Sequence, residues 1–319
     1  MISNITLKCL FKATHEFIFS HIIRPFFYLK IIGKHKWFIL FKKQYTARWI
    51  EYNILGIKFK IKSKPEHIDT VNLVFESNYG IGNRIFAIIN ALEYYSPKRI
   101  NFFWDNQGWV NESFYSLFKQ NFPCEIVEYN SIEECKGWTN SKNERTIHFP
   151  QASLITEDLV ERTLAKNNIS SDVVNKFKKY FQMLEPSDKV KERINSLSLP
   201  ENYTALQVRN APDWDDYGRN ENLQLFLDEI KTFPKDTIFY LSAMNKDISD
   251  FIKNNSDYKI CELIEKNYKS MYDAIADLYI MSKAVSGIYS YGSTFGELAW
   301  WLADKEQKFT IAGTSNNWK

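Results

Sequence analysis

The sequence offers little that could hold a metal or a disulfide framework. It has four cysteines in 319 residues, at positions 9, 124, 135 and 261, with no Cys-x-x-Cys pair, and its five histidines are scattered. A zinc site and a disulfide-stapled secreted fold are both disfavoured, and a reducing, cytoplasmic compartment fits. No apolar run reaches the ~18 residues that a membrane-spanning helix needs. The apolar stretch HEFIFSHIIRPFFYLKIIGKHKWFILFKK is interrupted by Arg24, Lys30, Lys34 and Lys36. It also lacks a small-residue cleavage site after a clean apolar core, so it does not read as a signal peptide. Internal repeats and low-complexity tracts are missing too.

What is present is enough for real cores. Apolar residues make up 45% of the chain and aromatics 16%. The length suits two domains of ordinary size. The net charge of +3 hides an asymmetry: residues 1–66 carry thirteen Lys and Arg against three acids, or +10, which leaves −7 for the remainder. A basic, apolar front end suits anionic lipid headgroups or nucleic acid. Nucleic-acid motifs are absent, so an anionic membrane surface is the expected partner of residues 1–66, which would make the protein peripheral on the inner membrane face. The alternative is a pair of helices packed on the first domain with their lysines in water. Directly after, ILGIKFKIKSK alternates Ile57, Phe59 and Ile61 with Lys58, Lys60 and Lys62, which predicts a half-buried strand.

From residue 70 the rhythm becomes α/β. TVNLVFE, RINFFW, CEIVEY and RTIHF read as strands, and RIFAIINALEYY reads as a helix. Residues 155–199 read as a helical connection. The α/β rhythm then restarts, with strands YTALQVR, TIFYLSA, YKICEL, AVSGIYS and KFTIAG separated by helices. The expected organisation is a segment 1–66, a first Rossmann-like domain 67–154, the connection 155–199 and a second Rossmann-like domain 200–319. The two α/β domains are expected to face each other across a central cleft.

Three stretches carry chemistry. ESNYGIGNRIFA places Gly80 and Gly82 between a strand and a helix, where backbone can approach a ligand and helix N–H groups attract an anion. The third glycine of a dinucleotide fingerprint is missing, as is the Gly-Lys-Ser/Thr of a P-loop, so nucleoside cofactors in the standard mode are unsupported. Asn83 reads most simply as the helix N-cap. In ALQVRNAPDWDDYGRNEN, Arg209 closes a strand ahead of Asp213, Asp215 and Asp216. A guanidinium there suits a phosphate clamp, and the acids suit sugar hydroxyls or proton transfer; a solvated loop is the alternative. In SGIYSYGSTFGELAWWL, Ser293 and Thr294 open a helix as caps or as a phosphate site. Asp273 and Asp277 lie at i and i+4 on a mostly apolar helix, so each is either solvent-facing or paired.

In this order the stretches resemble the GDP-fucose-dependent fucosyltransferases of the GT-B superfamily, the group that includes α1,6-, α1,2- and protein O-fucosyltransferases and the rhizobial nodulation enzyme. GIGNRIFAIINAL is similar to the family's GxGN[RQ]-helix motif, and LQVRNAPDW to its HxRxxD motif. FYLSAMN stands where the family has a strand followed by acids. ADLYIMSKAVSGIYSYGSTFGELAWWL is similar to its Asp-Leu helix and glycine-serine-phenylalanine turn. The resemblance covers roughly residues 70–313. It implies a GT-B-like fold and donor contacts by Gly80, Gly82, Asn83 and Arg84. It further implies that Arg209 holds the β-phosphate, Asp213 orients that arginine or binds the nucleotide, Asp277 reads the guanine, and Ser293, Thr294 and Phe295 wrap the phosphates. The family's His is Gln207 here, its second Arg is Asn210, and its acidic pair is Met244-Asn245.

The expected activity is inverting, metal-independent transfer of a sugar, fucose from GDP-fucose, to a glycan or lipid-linked oligosaccharide of a bacterial surface polysaccharide. Asp215 or Asp216 is the expected base. No cofactor is expected beyond the nucleotide-sugar substrate, although DWDD keeps a metal open. The alternatives are a transferase of the same fold with another donor and a non-catalytic glycan-binding or scaffold protein.

Overall fold

The computed structural model describes residues 29–30, 37–38, 41–45, 49–54, 57–62, 68–75, 79–141, 143–148, 170–209 and 223–312. The chain divides into two compact units, Met1–Lys64 and Pro65–Lys319.

In the first unit, β1 (Leu29–Lys30) pairs antiparallel with β2 (Trp37–Phe38). Strands β3 (Phe41–Tyr45), β4 (Trp49–Ile54) and β5 (Ile57–Lys62) form an antiparallel sheet with β4 in the middle. The strand expected over 57–62 is β5. The helical pair expected as the alternative for the preceding stretch is not what its described residues form, since 29–30, 37–38 and 41–45 are strand. Aromatic and β-branched residues interleaved with lysines suit a pleated surface better than a helix.

The second unit holds two parallel sheets. The first contains β6 (Thr70–Val74), β7 (Arg99–Phe103), β9 (Glu125–Tyr129) and β10 (Glu144–His148), in the order β10-β6-β7-β9. Helix α1 (Ile81–Tyr95) crosses from β6 to β7. A short α2 (Phe114–Leu117) leads into β8 (Phe118–Gln120). The connection then supplies α3 (Ser171–Phe181), β11 (Leu184–Pro186) and α4 (Asp188–Asn195). β11 pairs antiparallel with β8, a link that the sequence rhythm did not announce. The helix expected around 157–166 lies outside the described residues.

The second sheet contains β12 (Thr204–Val208), β13 (Ile238–Ala243), β14 (Lys259–Cys261), β15 (Ser286–Ser290) and β16 (Lys308–Ala312), in the order β14-β13-β12-β15-β16. Helices α5 (Leu223–Ile230), α6 (Lys246–Asn254), α7 (Met271–Ser282) and α8 (Thr294–Leu302) make the crossovers. This is a doubly wound α/β arrangement, with the order reversing between β12 and β15. Leu206, Val208, Phe239, Leu241 and Ile288 from the strands pack with Phe226, Leu227, Ile230, Ile248 and Ile252 from α5 and α6 to form its core.

Aromatic side chains join the two sheets. Phe86 on α1 meets Phe181 on α3 edge-on at 5.7 Å, and Phe181 stacks on Trp301 of α8 at 5.2 Å with the planes 16° apart. Gln182 donates to the carbonyls of Leu302 and Ala303, and the Tyr279 hydroxyl on α7 donates to the Leu184 carbonyl. Trp301 is fully buried. Trp301→Ala should therefore cost about 3–5 kcal/mol of unfolding free energy, because a large cavity opens where the sheets join. Urea denaturation checks this, with a loss under about 1 kcal/mol as the contrary result.

Candidate functional site

Doubly wound sheets bind ligands outside the carboxyl ends of the strands, where the strand order reverses. In the second sheet that place lies between β12 and β15. Arg209 follows β12 directly, and Tyr291-Gly292-Ser293 follows β15 directly. Gly292 has φ 67, a left-handed conformation that favours glycine, and it turns the chain into α8. In the first sheet the order reverses between β6 and β10, and the loop after β6 leads through Tyr79 and Gly80 into α1.

The Gly-x-Gly turn brings these two places together. A Cβ on Gly82 would lie 2.5 Å from the carbonyl oxygen of Thr294, so the first turns of α1 and α8 meet backbone to backbone. Helix α1 begins at Ile81, with Gly80 in extended conformation as the cap residue; no side chain caps it and no acid lies in its first turn. Asn83, expected to be the cap, is instead the third helical residue and is half-buried. The extended backbone at Gly80 starts the helix earlier than the side-chain pattern suggested. Helix α8 is better provided for. The Ser293 hydroxyl accepts from the Gly296 N–H at 3.4 Å, and the buried Glu297 lies in the first turn. Thr294 is buried beside it and Phe295 is half-buried.

Arg209 is fixed from its backbone. Its N–H donates to Ser290 Oγ at 2.8 Å, and that hydroxyl donates to the Gln207 carbonyl. Gln207 Oε1 accepts from the Ser290 N–H, so the residue at the family's histidine position ties β12 to β15. The Arg209 guanidinium lies 5.8 Å from the ring of Trp109, which belongs to the loop after β7 of the other sheet.

Two expected donor contacts face elsewhere. Arg84 is fully buried. Its Nε donates to the Tyr79 carbonyl at 2.9 Å, and Nη1 and Nη2 both donate to the Asp105 carbonyl at 3.1 Å. The guanidinium also lies 5.1 Å from the Trp104 ring. Burial pushes its pKa down to about 10, against the opposing pull of Asp105 and Glu128. Arg84 therefore fastens the loops after β6 and β7. The Asp105 backbone that it holds has φ 46, a strained conformation for a residue with a side chain.

Asp277 is likewise buried, at 2% exposure. One oxygen accepts from the Tyr240 hydroxyl, and the other accepts from Ser242 Oγ and Lys266 Nζ, both at 2.7 Å. A carboxylate enclosed in this way does not present itself to a guanine edge. Lys266 is itself buried. Burial alone would lower its pKa, but Asp277 and Glu262 hold it above the usual lysine value. Asp273 is paired too, with Arg193 Nε 2.6 Å from its Oδ1. Of the two readings open for these acids, both are paired. Asp213, Asp215 and Asp216 lie outside the described residues.

Sequence reasoning missed Lys266 and Trp109, and it gave Gln207 only as a departure from the family pattern. A tryptophan in a polar loop just past a strand's carboxyl end was the available signal for Trp109. Among the described residues, no group of three His, Cys, Asp or Glu side chains could hold a metal ion, and no helix is long and apolar enough to cross a membrane.

No family model matches the chain, and no curated protein matches it. Solved structures do. The chain is similar to GDP-fucose-dependent fucosyltransferases. An Arabidopsis thaliana FUT1 variant in complex with GDP is 14% identical with a TM-score of 0.46, over 76% of this chain and 70% of that one. NodZ α-1,6-fucosyltransferase, co-crystallised with GDP, is 10% identical with a TM-score of 0.49, over 73% and 91%. POFUT1 in complex with GDP-fucose is 11% identical with a TM-score of 0.46, over 79% and 99%.

The enclosure of Asp277 leads to a measurable outcome. Asp277→Ala leaves Lys266 buried without its principal counter-charge and should destabilise the protein by about 3–5 kcal/mol. Chemical denaturation reads the loss; a variant of wild-type stability would contradict the enclosed arrangement.

Proposed function

We propose that the protein is an inverting glycosyltransferase that moves a sugar from a nucleoside diphosphate donor, GDP-fucose in our reading, to a glycan hydroxyl. The observation that carries this is the convergence at one point of an uncapped helix N-terminus, a second helix N-terminus and the strand-end Arg209. Helix ends bear partial positive charge and unsatisfied N–H groups, and a guanidinium adds a forked donor. The chemistry such a place favours is that of a diphosphate. The order of sequence motifs supports guanosine as the nucleoside and fucose as the sugar.

In the proposed reaction the acceptor oxygen bonds to the anomeric carbon as the bond from that carbon to the β-phosphate oxygen breaks, with inversion. The acceptor proton passes to Asp215 or Asp216, and GDP leaves. Arg209 and the turn at Ser293, Thr294 and Phe295 meet the charge growing on the departing phosphate, the largest expected contribution. Gly80, Gly82 and Asn83 bring the α1 N-terminus to the donor, and Asp213 orients Arg209 or the nucleotide. Charge on the leaving group is met by these groups, so the reaction as proposed needs no metal. Arg84 and Asp277 act behind the site by holding its loops and strands. The acceptor in this reading is a bacterial surface glycan on a lipid carrier, and residues 1–66 rest on the anionic membrane that holds it.

Arg209→Ala should lower kcat/KM by about 2–4 kcal/mol of transition-state stabilisation while the fold survives. GDP should raise Tm more than UDP does, by mass action on the folded state. Wild-type turnover in a folded Arg209→Ala, or equal stabilisation by the two nucleotides, contradicts the phosphate clamp or the guanosine respectively. UDP stabilisation greater than that by GDP would favour the transferase with another donor.

The membrane contact has a separate test. Each basic residue near an anionic surface contributes roughly 1 kcal/mol of attraction, screened beyond about 8 Å at physiological ionic strength. Co-sedimentation with vesicles containing anionic lipid should therefore fall with added salt. It should also fall when Lys30, Lys34, Lys36, Lys42 and Lys43 are changed to Gln. Binding that is absent, or indifferent to both changes, removes the membrane from the reading.

A further inference from the structure

We propose that Trp109 is the platform of a carbohydrate subsite, with its indole stacked against the C–H face of a pyranose ring. The proposal deepens the transferase reading, in which that sugar belongs to the acceptor, and rests on it only for that role.

The first ground is exposure. Among the tryptophans whose side chains are described, Trp104, Trp300 and Trp301 are buried and Trp138 is half-buried, whereas Trp109 is 48% exposed. The second is that its loop is held at many points, none of which requires the indole. Trp104 Nε1 donates to the Glu112 carbonyl at 2.9 Å and closes the base of the loop. Arg84 holds the Asp105 carbonyl, and Val110 is buried. Across the junction between the sheets, Asn111 Nδ2 donates to the Lys269 carbonyl at 3.3 Å, and the Tyr272 hydroxyl donates to Glu112 Oε2 at 3.2 Å. The indole is thus presented on a fastened frame.

The third ground is what stands beside it. The Arg209 guanidinium lies over one face of the ring, 5.8 Å from its centroid, which leaves the opposite face for a sugar. The same loop carries Asn106 and Gln107, whose amides hydrogen-bond to each other at 3.3 Å and offer both donors and acceptors. A pyranose has apolar C–H groups on its faces and oxygens around its edge. The open face of the indole serves the C–H groups, and the paired amides of the loop serve the oxygens at the edge. A flat apolar ligand would leave those polar groups unused. The position next to Arg209 also puts the bound ring beside the proposed leaving diphosphate, where an acceptor hydroxyl has to be.

The test needs no transfer reaction. The full chain is labelled with 5-fluorotryptophan, and the Trp109 fluorine resonance is assigned from Trp109→Phe. Methyl glycosides of glucose, galactose, mannose and N-acetylglucosamine are then titrated, with and without GDP. At least one glycoside should move the Trp109 resonance saturably while those of buried Trp104 and Trp300 stay still. Saturation transfer to that glycoside should fall at least tenfold in Trp109→Ala, whose stabilisation by GDP should be unchanged. A Trp109 resonance unmoved across the panel, or saturation transfer that survives Trp109→Ala, overturns the proposal. So does a loss of GDP stabilisation in Trp109→Ala, which would assign the ring to the nucleotide. A wild type that ignores GDP but still answers a glycoside supports the carbohydrate subsite and removes the donor reading.

Discussion

The contact between Gly82 and the carbonyl of Thr294 is the constraint on which the rest of the second unit turns. Two helices from different sheets approach so closely that even a methyl group would strike backbone. Phe86 lies one turn along α1 from Gly82, and Trp301 lies two turns along α8 from Thr294, so each pair shares a helix face. The backbone contact at the helix starts and the Phe86–Phe181–Trp301 stack deeper in are therefore two ends of one interface. With that interface fixed, the reversal points of both sheets open at the same place. Arg209 and Trp109, which come from different sheets, become neighbours as a result.

Packing of this kind concentrates one sign of charge. Two helix N-termini repel, each carrying roughly half a positive charge. Residues 67–319 are net acidic, yet several acids among the described residues are paired elsewhere. Asp277 and Glu262 neutralise Lys266, and Asp273 neutralises Arg193. Glu297 offsets the α8 terminus alone, and α1 has neither a cap nor an acid. Arg84 is held by carbonyl dipoles and aromatic faces. Two helix N-termini and Arg209 thus meet at the junction, and their partial and full positive charges are what favours a diphosphate in the proposed reading.

Much of this was legible in the sequence where one residue type has one structural use. Alternation at 57–62 gave a strand, apolar runs gave β12 and β15, and an arginine closing an apolar run gave the switch-point side chain. The failures share a cause, which is that a side chain's partner lies far along the chain. Arg84 at a helix start looks like a ligand contact until the Asp105 carbonyl, 21 residues on, is found to occupy it. Asp277 looks available until Lys266 folds over it. Asn83 lost the cap position to backbone geometry at Gly80, which no side-chain preference encodes. Residues 29–30, 37–38 and 41–45 of the basic apolar stretch suited helix and strand alike by composition, and pairing with a neighbouring strand decided them.

The departures from the fucosyltransferase pattern follow from the same economy of partners. Where the family has a histidine, Gln207 uses its side-chain oxygen to hold the Ser290 N–H, and Ser290 in turn holds the Arg209 backbone. Where the family has acids after the FYL strand, Asn245 caps α6 through the Ile248 N–H at 3.0 Å. Both positions therefore serve the frame in this chain and contribute no charge to the junction. A titrating group at 207 would add a proton-dependent charge beside the arginine, whereas an amide cannot. The Arg209 backbone, set by a neutral Gln207–Ser290 bridge, carries the guanidinium at the carboxyl end of the central strand.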